Sequence, residues 1–133
     1  MRKLMIAALV CALACVMAAC SSNTPKAAAA KYTEAVIKGD YKSALELVYF
    51  KGTPDEAAKR REQYVSLCEE KAKNGIKDKD KLTSYKITDE QIDEENGTAV
   101  VTAELTYADG HSKTDNMKLR KTEDGQWMID SNK

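Results

Sequence analysis

With 133 residues, 21 basic and 21 acidic side chains and a single histidine, the chain holds enough for one compact core and not two. The even charge balance excludes nucleic acid as a partner, since that calls for a basic excess gathered on one face. Of the four cysteines, Cys11, Cys15 and Cys20 lie in the first twenty positions and Cys68 lies alone beyond them, so no internal disulfide framework is expected.

Arg2 and Lys3 precede an apolar run over residues 4–17 that ends in Met17-Ala18-Ala19-Cys20. Charge, then apolar run, then small residues is the layout of a secretory signal peptide, and the run is shorter than the roughly 20 residues of a membrane-spanning helix. The four-residue ending resembles a bacterial lipobox, in which a signal peptidase cuts before a cysteine that carries diacylglycerol. That resemblance implies cleavage between Ala19 and Cys20 and lipid attachment at Cys20, leaving residues 20–24 as a short polar tether. Each buried methylene of an acyl chain adds about 0.8 kcal/mol of membrane affinity, so two or three chains hold permanently. Residues 21–24 contain no Asp or Glu, which in lipoproteins of this kind points to an anchor facing the periplasm.

Residues 25–133 are expected to form a single domain. Thr24 is placed to cap a first helix with Pro25 at its first position; Ala28, Tyr32, Ala35 and Val36 give it one apolar stripe, and Gly39 ends it. Asp40 is placed to cap a short second helix, with Tyr41, Ala44, Leu45 and Val48 on one side and Lys42 and Glu46 paired on the other. Residues 49–52 read as a break. Thr53-Pro54-Asp55-Glu56 then reads as a capping box, opening a third helix to Lys73. Its stripe is Ala58, Val65, Cys68 and Ala72 with Tyr64 beside it, and its outward pairs are Asp55 with Lys59, Glu56 with Arg60 and Glu69 with Lys73. The basic run Lys59-Arg60-Arg61 reads as a solvated face, and Cys68 as a small buried hydrophobe. Asn74-Gly75 supplies the stop.

Residues 77–81 alternate in sign without an apolar side chain and read as a wet loop carrying no site. Beyond it the period falls from about 3.6 to 2, which marks strands. Tyr85 and Ile87 lie in a first strand that runs on towards Ile92 as an edge. Asn96-Gly97 signals a tight two-residue hairpin turn. Over residues 98–107, Ala99, Val101, Ala103, Leu105 and Tyr107 face one way and the threonines with Glu104 the other. A third strand over 112–121 points Met117 and Leu119 inward, and 126–130 closes the sheet with Trp127 and Ile129. The expected fold is α+β, with three helices on one face of a four-stranded antiparallel meander.

The Gly39-Asp40-Tyr41 junction between helices, the Thr53-Pro54 helix start and the closing run from Glu123 to Asp130 resemble a family of small lipoproteins of unknown function from anaerobic Gram-negative bacteria, of the domain of unknown function 4878 type. The resemblance covers nearly the whole chain beyond the leader and implies a nuclear transport factor 2-like or cystatin-like fold, in which a curved sheet wraps a helix into a cone.

Catalytic chemistry finds little footing. His111 sits beside the Asp109-Gly110 turn and reads as exposed and without a dyad partner. The inward positions identified are all aliphatic, sulfur-bearing or aromatic, whereas general acid and base work needs a positioned titratable group. No His or Cys cluster has metal-ligand spacing, and no cofactor is called for. Tyr32, Tyr64, Cys68, Leu105, Met117 and Trp127 are the candidate lining of a pocket at the open end of the cone, or simply core. The expectation is a lipid-anchored, non-catalytic envelope module whose partners are the membrane, through Cys20, and an apolar small molecule or an envelope protein. The alternative is an isomerase- or dehydratase-type enzyme on the same cone.

Overall fold

The computed structural model describes residues 23–130; the expected leader, the expected cleavage between Ala19 and Cys20 and the expected lipid attachment at Cys20 lie outside the described residues. Thr24 accepts a hydrogen bond from the Ala27 amide, and Pro25 opens helix α1 (Pro25–Lys38). Gly39, at φ 78°, ends it in a left-handed conformation that a side chain would resist. The next residue, Asp40, accepts from the Ser43 amide and starts α2 (Tyr41–Glu46), so two helices change direction across two residues. Strand β1 (Val48–Tyr49) precedes α3 (Pro54–Lys73), whose capping box is complete: Thr53 accepts from the Glu56 amide and Glu56 from the Thr53 amide.

A 3-10 turn (Asp78–Asp80) leads into β2 (Leu82–Asp93), β3 (Thr98–Tyr107), β4 (Ser112–Lys121) and β5 (Trp127–Asp130). The sheet has five strands in the order β1-β5-β4-β3-β2, one more than the expected meander of four. The addition is β1, which runs parallel to β5 with Val48 opposite Ile129. Val48 therefore belongs to a strand and not to the second helix, and part of the expected break at 49–52 is sheet. Two residues are too short to show any periodicity, so β1 exists only because the edge of β5 offers it hydrogen bonds. The Asn96-Gly97 turn also differs. A two-residue I′ turn needs positive φ at both central positions, yet of Asn96 and Gly97 only the glycine has it, at 63°. The loop widens to 94–97, and the Asp93 carboxylate accepts from the backbone and side-chain amides of Asn96.

α1 lies on the sheet through small side chains. Ala28 and Ala29 pack with Ala99, Val101, Ala103, Leu105, Met117, Leu119 and Trp127 in the main core. A second, smaller cluster joins Leu45, Val48 and Phe50 to Tyr32, Ala57, Val65, Cys68 and Ile129. Contrary to expectation, α3 does not share the sheet's core: it has no buried residue, and its main neighbour is α2. Its inner stripe runs Ala57, Arg61, Val65, Cys68, and the anticipated Ala58 and Ala72 are exposed. Arg61 is no part of a solvated face. Its guanidinium donates to the Leu45 carbonyl at 2.8 Å and the Val48 carbonyl at 3.0 Å and lies 5.2 Å from the centre of the Phe50 ring. None of the four anticipated i,i+4 pairs closes into a salt bridge; Glu56 is drawn instead to the Thr53 amide.

α1 is tied to β2 by two polar contacts. Glu90 accepts from the Lys26 amide in the first turn of the helix, where a carboxylate also complements the dipole, and the Tyr85 hydroxyl donates to Glu34 at 2.6 Å.

Two predictions concern these fastenings. Arg61→Ala should cost about 2 kcal/mol, the scale for losing charge-assisted bonds to two backbone carbonyls. Arg61→Lys should recover little of that, since an ammonium cannot span both acceptors as the planar fork does; thermal unfolding of the three proteins checks both. Burial first, and then the bond to the Glu34 carboxylate, push the Tyr85 phenol up to about 12 from its ordinary 10.0. The folded chain thus holds this proton more tightly than the unfolded one, so its contribution is intact below pH 10 and declines as pH rises towards 12. Tyr85→Phe should abolish that decline in a pH series of unfolding midpoints and lower the neutral-pH midpoint by about 4 °C, equivalent to about 1 kcal/mol.

Candidate functional site

The six side chains singled out from the sequence separate into different settings. Leu105, Met117 and Trp127 are buried in the main core beneath α1. Tyr32 and Cys68 meet in the second cluster, packed against Leu45, Val48 and Phe50. Tyr64 is 47% exposed and stacks on Phe50 at 5.5 Å between ring centres.

Of these six only Cys68 lines a cleft of about 440 Å³ formed where α1, α2, α3 and the 3-10 turn converge. Val36 comes from the last turn of α1, Tyr41 from the start of α2, Cys68 and Lys71 from α3; Gly75, Ile76, Lys77, Lys79 and Asp80 come from the segment that follows. Cys68 and Lys71 share a face of α3 because residues three apart stand one above the other. The cleft exists because Gly39 turns α2 across the end of α1 while α3 stops at Asn74-Gly75, leaving Ile76 to bridge back with 38% of its surface exposed. Its volume falls within the roughly 300–1,000 Å³ of small-molecule sites, and apolar walls with a few polar groups are their usual make-up. A second groove, between α1 and β2, has about 730 Å³ and is more open, lined by Thr24, Lys26, Ala27, Ala30, Tyr85, Lys86 and Ile87. The Tyr85–Glu34 and Lys26–Glu90 bonds link the same two elements.

The run at 77–81 therefore does contribute to a candidate site, through Lys77, Lys79 and Asp80. The sequence hides this because the lining comes from four separate segments, none with a motif of its own. One carboxylate also faces inward, where only uncharged side chains were anticipated. Asp115 stands opposite Ala103 in the β4–β3 register and shares its face with Met117 and Leu119. It is exposed at the rim, and its charge reaches Tyr32. Burial first, then the charges of Cys68 and Asp115, raise the Tyr32 hydroxyl above its ordinary value, so it remains a neutral hydrogen-bonding group. Burial likewise raises the Cys68 thiol, with Lys71 pulling the other way. A thiol in that state is an apolar wall and a weak nucleophile.

His111 does have a partner. Its Nδ1 lies 2.5 Å from Asp109 Oδ1, and its ring stacks on Tyr107 at 4.7 Å and 7°. The backbone amide of His111 also donates to Asp109, and these bonds hold that carboxyl below its usual range. The pair is well exposed, at 45% and 39%, and serves to close the turn between β3 and β4. Among the described residues, no group of three His, Cys, Asp or Glu side chains is placed to hold a metal ion.

Comparison with known proteins follows the same lines. No curated protein matches the chain. Among solved structures, a Campylobacter jejuni protein provisionally named an NTF2-like transpeptidase is similar: the match covers 77% of this chain and 94% of that one, at 18% identity and a TM-score of 0.52. Identity this low speaks to the fold alone, which is nuclear transport factor 2-like, with helices packed on a mostly antiparallel five-stranded sheet. A family profile described as a domain of unknown function, DUF4878, matches residues 18–130, and the chain belongs to that family.

Proposed function

We propose that this protein is a lipid-anchored, periplasm-facing module of the cell envelope that binds an apolar small molecule without transforming it. The observation that carries the binding role is the cleft of about 440 Å³ walled by Val36, Tyr41, Cys68 and Ile76. A domain built only to fill space has no need to leave such side chains around an open volume. The anchor rests on the order of Arg2-Lys3, the apolar run and Ala18-Ala19-Cys20. Among the described residues, no helix is long and apolar enough to cross a membrane, and the attachment proposed runs through acyl chains on Cys20.

A second reading, an enzyme on the same cone, draws on the name of the Campylobacter jejuni neighbour, which mentions a transpeptidase. Acyl transfer through a cysteine needs a thiolate made ready by a base. Cys68 is shifted the opposite way by burial, and His111, at the turn between β3 and β4, is no part of the cleft that Cys68 lines. These states favour binding over chemistry. An adaptor role on the outward sheet face has less to recommend it, since among the described residues no cleft of the kind described above is formed by the polar face that carries Thr102, Glu104 and Thr106.

Replacing the acylated thiol tests the anchor: in Cys20→Ser cells the protein should move from the membrane pellet to the soluble fraction and cease to incorporate labelled palmitate. Continued sedimentation with the membranes, at unchanged abundance, would remove the anchor from this account.

A further inference from the structure

The walls of the cleft specify a ligand class more narrowly than "apolar". Besides Val36, Tyr41, Cys68 and Ile76, the lining includes Lys71, Lys77 and Lys79 against a single carboxylate, Asp80. A wholly uncharged guest would make no use of the excess of ammonium groups in the lining, while a cationic one would be repelled. Resting on the binding role above, we propose that the cleft takes a single-chain amphiphile with a carboxylate head, its chain over Val36, Cys68 and Ile76 and its head among the three lysines.

The choice of a monoanion comes from counting charge. The cleft opens at the C-terminal ends of α1 and α3, represented by Val36, Lys71 and Gly75. Each helix C-terminus carries roughly half a negative charge, so the two together offset about one lysine, while the N-terminus of α2 at Tyr41 is answered by its own cap, the Asp40 carboxylate. Asp80 offsets a second. About one net positive charge remains, which matches a carboxylate better than a doubly charged phosphate monoester. Lysine suits this duty, because its aliphatic stem lies along an apolar chain while its ammonium reaches the polar end. A sugar would need many fixed hydrogen-bonding partners, and the uncharged wall offers one hydroxyl, on Tyr41. The exposed Ile76 side chain also gains most from a guest, since covering apolar surface returns about 25 cal/mol for each Å² removed from water.

Photolabelling of the full chain in nonionic detergent micelles tests the proposal with three diazirine probes of equal chain length: dodecanoate, dodecyl phosphate and dodecanol. Wild type is compared with the triple variant Lys71→Gln, Lys77→Gln, Lys79→Gln in the same micelles, so that partition of each probe into detergent cancels. Dodecanoate should label peptides containing Cys68 and Ile76 in wild type, and this labelling should fall roughly fivefold in the triple variant, the scale of one favourable exposed charge contact. All three lysines are exposed, so the variant should keep the wild-type unfolding midpoint. Ile76→Glu, which puts an anion into the wall, should also lose dodecanoate labelling while folding normally. Equal labelling by dodecanol, unchanged in the triple variant, would overturn the carboxylate assignment and leave the binding role standing. Stronger labelling by dodecyl phosphate than by dodecanoate would likewise overturn it, in favour of a phosphate head. No labelling of the cleft above the neighbouring surface by any probe would bring down the binding role itself.

Discussion

Closest approach between α1 and the sheet is set by alanine. Ala28 and Ala29 on the helix meet Ala99, Val101 and Ala103 on β3, and Ala29, Val101 and Ala103 are completely shielded from water. Such a contact has no slack: a longer side chain at any of these points must push helix and strand apart, since interiors are packed as tightly as organic crystals. Thr33, also buried, satisfies its hydroxyl by bonding back to the Ala29 carbonyl at 2.8 Å, so a polar group sits at this interface without a stranded donor. Everything farther along the chain takes its position from this seat. Glu90 and Tyr85 fix the helix along β2, Gly39 and Asp40 fix where α2 begins, and Val36 marks where the cleft opens.

α3 obeys a different logic. A 20-residue helix without a buried residue is not held by a broad apolar face, because its stripe is narrow and interrupted by Arg61. What fastens it is that arginine, gripping two carbonyls on either side of β1's start and lying near Phe50, together with the small cluster around Leu45 and Val48. The arrangement leaves α3 outside the main core, and the cleft lies between its C-terminal end, the other two helices and the segment that follows. Had its stripe been wide enough to share the main core, Lys71 and Ile76 would have been drawn inward and the volume closed. The open volume here is a by-product of a helix too polar to collapse onto its neighbours.

What the sequence displays and what it conceals divide along the range of the interactions involved. Local chemistry reads clearly: the Thr24, Asp40 and Thr53 caps, the Gly39 stop and the alternation of Ala99 to Tyr107 each depend on neighbours a few positions away, and each takes the form the residues suggest. Long-range effects do not show. β1 is two residues recruited by a distant edge; the face of α3 slips from Ala58 to Ala57 because Arg61 has to reach α2; Asn96-Gly97 yields its tight turn to the Asp93 carboxylate. The candidate site is the extreme case. Its lining draws on four segments, and three of its charges lie in the run at 77–81, where alternating signs resemble ordinary solvation.

The pairing of Val48 with Ile129 has a temporal side. A strand laid down early waits, without a neighbouring strand, until the chain delivers the last hairpin some eighty positions later, and Trp127 joins the core with it. Contacts of such long separation make folding slow. Until then the place between β1 and β4 stays empty, and the two-residue strand has no sheet to join. The final hairpin fills that place and joins the first strand of the chain to the last.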